Sequence, residues 1–205
     1  DGHLTYEHNV LEAKLVFDSF VLSIDSEFIE NPSPDVINIK KQDCEMNAFK
    51  RMAKRLKKNF PKLKFIITGD ALYASGPFIK LCLDNKWDYI FRLKSDKLKT
   101  VNRDFDGIIS IDSGSTYKNY FVVKDYSYNE YKFNIIRFIE QVKNKDDKIF
   151  TFITSLSVTD NNIKKLIDMG RRRWKIENNG FNNQKNILFD ITHMCSLDYN
   201  AMKVH

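Results

Sequence analysis

Two carboxylates stand out by the company they keep. Glu177 lies in the block Gly170-Arg171-Arg172-Arg173-Trp174-Lys175-Ile176-Glu177-Asn178-Asn179-Gly180-Phe181. At helical spacing Ile163, Leu166, Ile167, Gly170, Trp174, Glu177 and Phe181 fall on one stripe, so the glutamate occupies a place suited to an apolar side chain. A buried carboxylate is costly unless it is neutralised, paired with a cation or bound to a metal. Arg173, one turn earlier, can reach it. Asp70 closes the run Phe65-Ile66-Ile67-Thr68-Gly69-Asp70, which reads as a short strand buried on both faces. That places Asp70 at a strand's carboxyl end, where open α/β folds collect ligands. Together the two acids offer hard oxygen donors to a divalent ion such as Mg2+ or Mn2+. The competing reading has Asp70 capping the next turn and Glu177 pairing with Arg173, and spacing weighs the two equally.

The elements that must position these acids follow from local pattern. Residues 6–17 and 20–29 are rich in Val, Leu, Ile and Phe around Asp18-Ser19, which predicts an antiparallel hairpin. After the loop Asn31-Pro32-Ser33-Pro34-Asp35, Asp43 is a plausible N-cap for an amphipathic helix that ends before Pro61. Phe49, Met52, Ala53, Leu56 and Phe60 line its core face. Lys50, Arg51, Lys54, Arg55, Lys57 and Lys58 crowd the rest, a face read first as solvated and second as a DNA contact. Ser75 or Gly76 starts a helix with Pro77 in its first turn, and a strand over 89–93 completes a strand-helix-strand crossover with Asp70 at its edge. From Val101 to Ile149 aromatic and polar residues alternate, with Gly107 and Gly114 near turns, and the stretch reads as β-rich. Residues 150–154 return to the main sheet, and Thr159 or Asp160 caps the helix bearing Glu177.

Composition sets the class. The 205 residues, 42% of them hydrophobic, can bury a full core, and a net charge of +6 favours a polyanionic partner without defining chemistry. Cys44, Cys82 and Cys195 have no paired spacing, which speaks against a zinc knuckle or a disulfide framework and for a reducing compartment. No apolar run of about eighteen residues marks a membrane span, and no leader pattern opens the chain.

The segments Tyr6-Glu7-His8-Asn9-Val10-Leu11-Glu12-Ala13-Lys14-Leu15-Val16, Glu27-Phe28-Ile29-Glu30-Asn31, Lys41-Gln42-Asp43-Cys44-Glu45, Gly69-Asp70-Ala71-Leu72-Tyr73-Ala74 and Gly170 to Lys185 resemble the catalytic domain of bacterial insertion-sequence transposases of the DDE type. The block Arg-Trp-x-Ile-Glu-Asn-x-Gly-Phe-Asn is the most specific part. The resemblance implies an α/β, RNase H-like fold: a mixed sheet flanked by helices, with core residues 1–100 and 150–205 interrupted by a β-rich insertion at 101–149. It makes Asp70 the second metal-binding aspartate, Glu177 the last acid and Arg173 a phosphate contact. Lys185, Arg171, Arg172 and Trp174 are further candidate DNA contacts. It also implies phosphodiester cleavage and strand transfer in cut-and-paste transposition. Two divalent ions about 4 Å apart would activate water and then a DNA 3′-hydroxyl. The partners would be transposon ends and target DNA, with a homodimer on paired ends, in the bacterial cytoplasm and on the nucleoid when bound.

The chain departs from that pattern in places. Gly170 stands where the signature has tyrosine, and Gln184 where it has lysine, with Lys185 one residue late. The first catalytic aspartate should end a buried strand ahead of residue 6, so Asp1-Gly2 is not that motif. The 205 residues are therefore read as a fragment lacking the first acid, with little cleavage of its own. A catalytically inactive remnant and a nuclease without joining activity are the other readings. Asp25 and Glu27 are read as solvent-facing on a half-buried strand. His8 is read as structural, and Trp174 as core before base-stacking platform. His193 and Cys195 have no partners for a metal site in the sequence.

Overall fold

Asp18 and Ser19 turn the chain between β1 (Asn9–Val16) and β2 (Val21–Ile29), and the Phe17 N–H donates to the Phe20 carbonyl at 2.9 Å. The structure, a computed structural model, describes residues 9–29, 43–111, 119–143 and 145–173. Contacts divide these into two compact units, one holding the described residues of 9–11 and 27–171, the other those of 12–26 with 172–173. The alternation expected along β2 does not hold: Leu22 is exposed, whereas Glu27 is mostly covered. Glu27 accepts from Arg51 Nε at 2.5 Å and is also paired with Arg55. Burial pushes its carboxyl up, and the two guanidiniums more than reverse this, holding it below the usual carboxylate range.

Those arginines lie on α1 (Glu45–Asn59), which buries Phe49, Met52, Ala53 and Leu56 as its periodicity predicts, with Ala48 beside them, whereas Phe60 is the C-cap and only half-buried. Its N-cap is Cys44 and not Asp43. Asp43 is taken instead by Arg51, whose two terminal nitrogens donate to its two oxygens at 3.2 and 2.8 Å. A bidentate, charge-assisted pair outweighs one capping bond.

The larger sheet begins with β3 (Ile66–Gly69). Ser75 and Pro77 then open α2 (Gly76–Asp84), which crosses to β4 (Asp88–Leu93). Next come α3 (Lys99–Ile111), β5 (Tyr120–Tyr128), β6 (Tyr131–Glu140), β7 (Lys148–Thr154) and α4 (Ile163–Arg171). The strand order is β3-β4-β7-β6-β5: β3 is parallel to β4, and the remaining pairings are antiparallel. This is the mixed α/β sheet with flanking helices that the sequence implies. Among the described residues β3 is an edge strand, so Ile66 is 38% exposed and the strand is not buried on both faces.

Residues 99–111 are helical, where a β-rich stretch was expected. Val101 and Phe105, one turn apart, are fully buried, and they outweigh the helix cost of Gly107, which packing does not require because a Cβ there would meet open space. The two strands that follow are not a separate sheet: β5 and β6 join the main one through β7. On one face Ile90, Ile136 and Phe152 pack with Val158 and with Ile163, Leu166 and Ile167 of α4. On the other, Phe91 meets Tyr73, which in turn contacts Phe78 of α2 and Phe49 of α1. Burial, then the Asp88 charge, push the thiol of Cys82, on the buried side of α2, up to about 12, so it stays protonated.

The turn entering α4 starts at Thr159, whose carbonyl accepts the Asn162 and Ile163 N–H groups at 3.1 and 3.0 Å, and Asn162 organises it. Asn162 Oδ1 accepts from the Thr159 N–H at 2.8 Å, and its Nδ2 donates to the Ser157 carbonyl at 2.8 Å. Along α4 the expected stripe holds through Gly170, where a Cβ would lie 2.6 to 3.0 Å from three atoms of the buried Phe152 ring. The departure from tyrosine at this position thus has a packing cause: Phe152 fills the space. Gly170→Ala should gain about 1 kcal/mol of helix propensity and lose about 1–3 kcal/mol to overpacking. Thermal unfolding should show a net loss of stability, smaller in a Phe152→Leu background. A higher midpoint in Gly170→Ala would refute the close packing.

Candidate active site

The GDALYA segment builds a tight rim at the carboxyl end of β3. Gly69 is required by space and not by its backbone angles, since a Cβ would lie 2.5 Å from Tyr73 Cγ and 2.6 Å from Tyr73 Cβ. With no side chain at 69, the Tyr73 ring folds back over the strand end and packs 4.4 Å from Phe78 and 5.9 Å from Phe91, centroid to centroid. Its hydroxyl donates to Glu45 Oε1, in the first turn of α1, at 2.6 Å. Burial, followed by the Glu45 bond and the Glu45 and Asp70 charges, pushes that hydroxyl well above the ordinary phenol range. Tyr73 therefore stays a proton donor and ties the rim to α1.

Asp70 follows Gly69 directly and is exposed. Its Oδ1 accepts the Leu72 N–H at 2.8 Å, and its carbonyl accepts the Tyr73 N–H at 3.2 Å. The turn-capping role weighed from the sequence is thus present, and it orients the carboxylate without burying it. Gly69 pairs with Phe91 of the parallel β4, so the carboxyl ends of both strands open on one edge. Asp70 is the right kind of donor for a hard cation. Among the described residues, however, no group of three or more His, Cys, Asp or Glu could hold a metal ion.

Of the other sequence candidates, Glu177, Trp174 and Lys185 lie outside the described residues, as do His8, His193 and Cys195. Arg171 donates to Glu140 at 2.7 Å and lies 5.0 Å above the Phe150 ring, at the end of α4. Arg172 pairs with Asp18 within the smaller unit. Arg173 is the last residue described. The Tyr73–Glu45 bond was not foreseen, and the only signal for the rim was a glycine and an aromatic residue four apart around an aspartate. Among the described residues no helix is long and apolar enough to cross a membrane.

A family model described as a transposase DDE domain matches residues 36–205. No curated protein matches the chain.

Proposed function

The chain belongs to the transposase DDE domain family, and from that premise we propose that it cuts and joins DNA phosphodiester bonds in cut-and-paste transposition. The family places it among enzymes that act on DNA with divalent metal, and its RNase H-like fold agrees with the mixed sheet. The observation that carries the reading is Asp70: an exposed carboxylate, oriented by the Leu72 N–H, at the open edge of two parallel strands.

Asp70 and Glu177 are the residues we assign to the metal, with Mg2+ or Mn2+ favoured by their all-oxygen donors. A bound divalent ion supplies charge stabilisation at phosphorus and a lowered pKa for the attacking hydroxyl. The chain's own groups do the positioning. Gly69 and Tyr73 fix the rim, the Leu72 N–H aims the Asp70 carboxylate, and Arg173 and Lys185 hold phosphate oxygens. Trp174 and Arg172 are assigned to the same DNA path. Arg171 is the weakest of these contacts, because Glu140 and Phe150 already engage it. Residues 101–149 are taken as the insertion, hydrogen-bonded to the rest of the sheet through β7, and a homodimer is taken to hold paired ends.

The test is a cleavage and joining assay with the full-length protein on duplexes carrying its transposon ends. Nicking and a covalently joined product should require Mg2+ or Mn2+, stop with a chelator, and vanish in Asp70→Asn. Metal-dependent nicking that survives Asp70→Asn would refute the assignment of Asp70, and nicking without any joined product would leave a nuclease in place of a transposase.

A further inference from the structure

We propose that the outer face of α1, led by Lys50, Lys54 and Lys58, is a second DNA-binding surface that grips the backbone of duplex DNA without regard to sequence. The inference rests on the transposase reading in one respect, that DNA is the polyanion at hand. From Met46 to Gly69 the chain carries eight Lys and Arg and no Asp or Glu, against +6 for all 205 residues, so the protein's excess positive charge is concentrated here. The fold then divides these cations by type. Arg51 and Arg55 turn to Glu27 and Asp43 and are neutralised within the unit. Lys57 donates to the Asn85 carbonyl at 3.1 Å, which brings the exposed Lys86 beside the helix. Lys50, Lys54 and Lys58 are exposed, on the side away from Phe49, Met52 and Leu56, and Lys62 and Lys64 extend the charge towards β3.

Two ordinary explanations fall short. Complementing the helix dipole accounts for cations in the last turn, Lys57 and Lys58, but not for Lys50 and Lys54 further back. A face that is merely soluble intersperses both signs of charge, and residues 46–69 supply none of the negative sign. The geometry suits a phosphate backbone. Lysines at i, i+4 and i+8 are spaced about 6 Å apart along the axis and span about 12 Å. One DNA strand presents a phosphate about every 3.4 Å along its axis, so the row covers three or four of them. Lysine is a point charge on a flexible stem, suited to contacts that follow the backbone and carry no base readout.

The experiment is a salt titration of binding to a duplex of arbitrary sequence, with the full-length protein and its Lys50→Gln/Lys54→Gln/Lys58→Gln variant. Three lost phosphate contacts should make the slope of log affinity against log salt shallower by about 2.7. The loss should be equal on unrelated sequences. A control triple at Lys124, Lys145 and Lys164, exposed elsewhere, should leave the slope unchanged. Should the triple variant fold poorly, each single substitution should still remove about 0.9 from the slope. An unchanged slope in the α1 variants, or an equal change in the control triple, would overturn the proposal while leaving the Asp70 assignment untouched. Loss of cleavage in Asp70→Asn with normal salt dependence addresses only the latter.

Discussion

Glu177→Gln in the full-length protein is expected to lower DNA cleavage by on the order of 10³-fold while duplex binding and its salt dependence stay close to wild type. Glutamine keeps the size of the side chain and removes only its charge, so the substitution asks whether the carboxylate is needed for chemistry or for structure. If Glu177 acts on the reacting phosphate through a metal, the charge matters in the transition state and hardly at all for holding the backbone, which is the work of lysines and arginines. If Glu177 is instead the buried partner of Arg173, removing one charge of the pair leaves the other uncompensated, and stability and binding fall with activity. Cleavage rate, binding slope and thermal midpoint measured on one preparation separate the two. Parallel loss of all three would return Glu177 to a structural role.

The crossover that presents Asp70 was legible because every local rule agreed. An apolar run ends in Gly69-Asp70, Ser75 and Pro77 open the next helix, and β4 lies parallel to β3. Elements that balanced two local signals were harder to read. Gly107 suggested a turn, but Val101 and Phe105 at helical spacing decided the matter once they had a core to enter. Asp43 resembles an N-cap until a bidentate arginine competes for it. Glu27 resembles a solvent-facing strand residue until α1 brings Arg51 and Arg55 across, and that contact joins residues more than twenty positions apart, which no window on the sequence contains. The Tyr73–Glu45 bond was hidden for the same reason. Local pattern thus revealed the place of Asp70 on the sheet, whereas the props beneath it depended on tertiary partners.

Those props make Gly69→Ala the substitution that should couple stability to chemistry. Glycine often serves a turn by taking a left-handed backbone, but among the described residues no glycine has positive φ, and the constraint at Gly69 is the Tyr73 side chain. A methyl group would overlap Tyr73 Cγ and Cβ, atoms next to the backbone that no rotamer change can withdraw far. The ring is hemmed in by Phe78 and Phe91 and held by Glu45, and the Tyr73 N–H is bonded to the Asp70 carbonyl. Relief therefore has to come from the turn itself, which carries Asp70. Overpacking of this kind costs about 1–3 kcal/mol, and for about 200 residues each kcal/mol lowers the thermal midpoint by about 2–4 °C. A carboxylate displaced by about 1 Å should cost cleavage about 10²-fold even where the protein remains folded. Gly69→Ala should consequently lose more activity than its stability alone explains, and it should cost less stability in a Tyr73→Gly background, where both clashing atoms are gone. An unchanged midpoint and cleavage rate in Gly69→Ala would show that the rim is free to relax and that Tyr73 does not position Asp70.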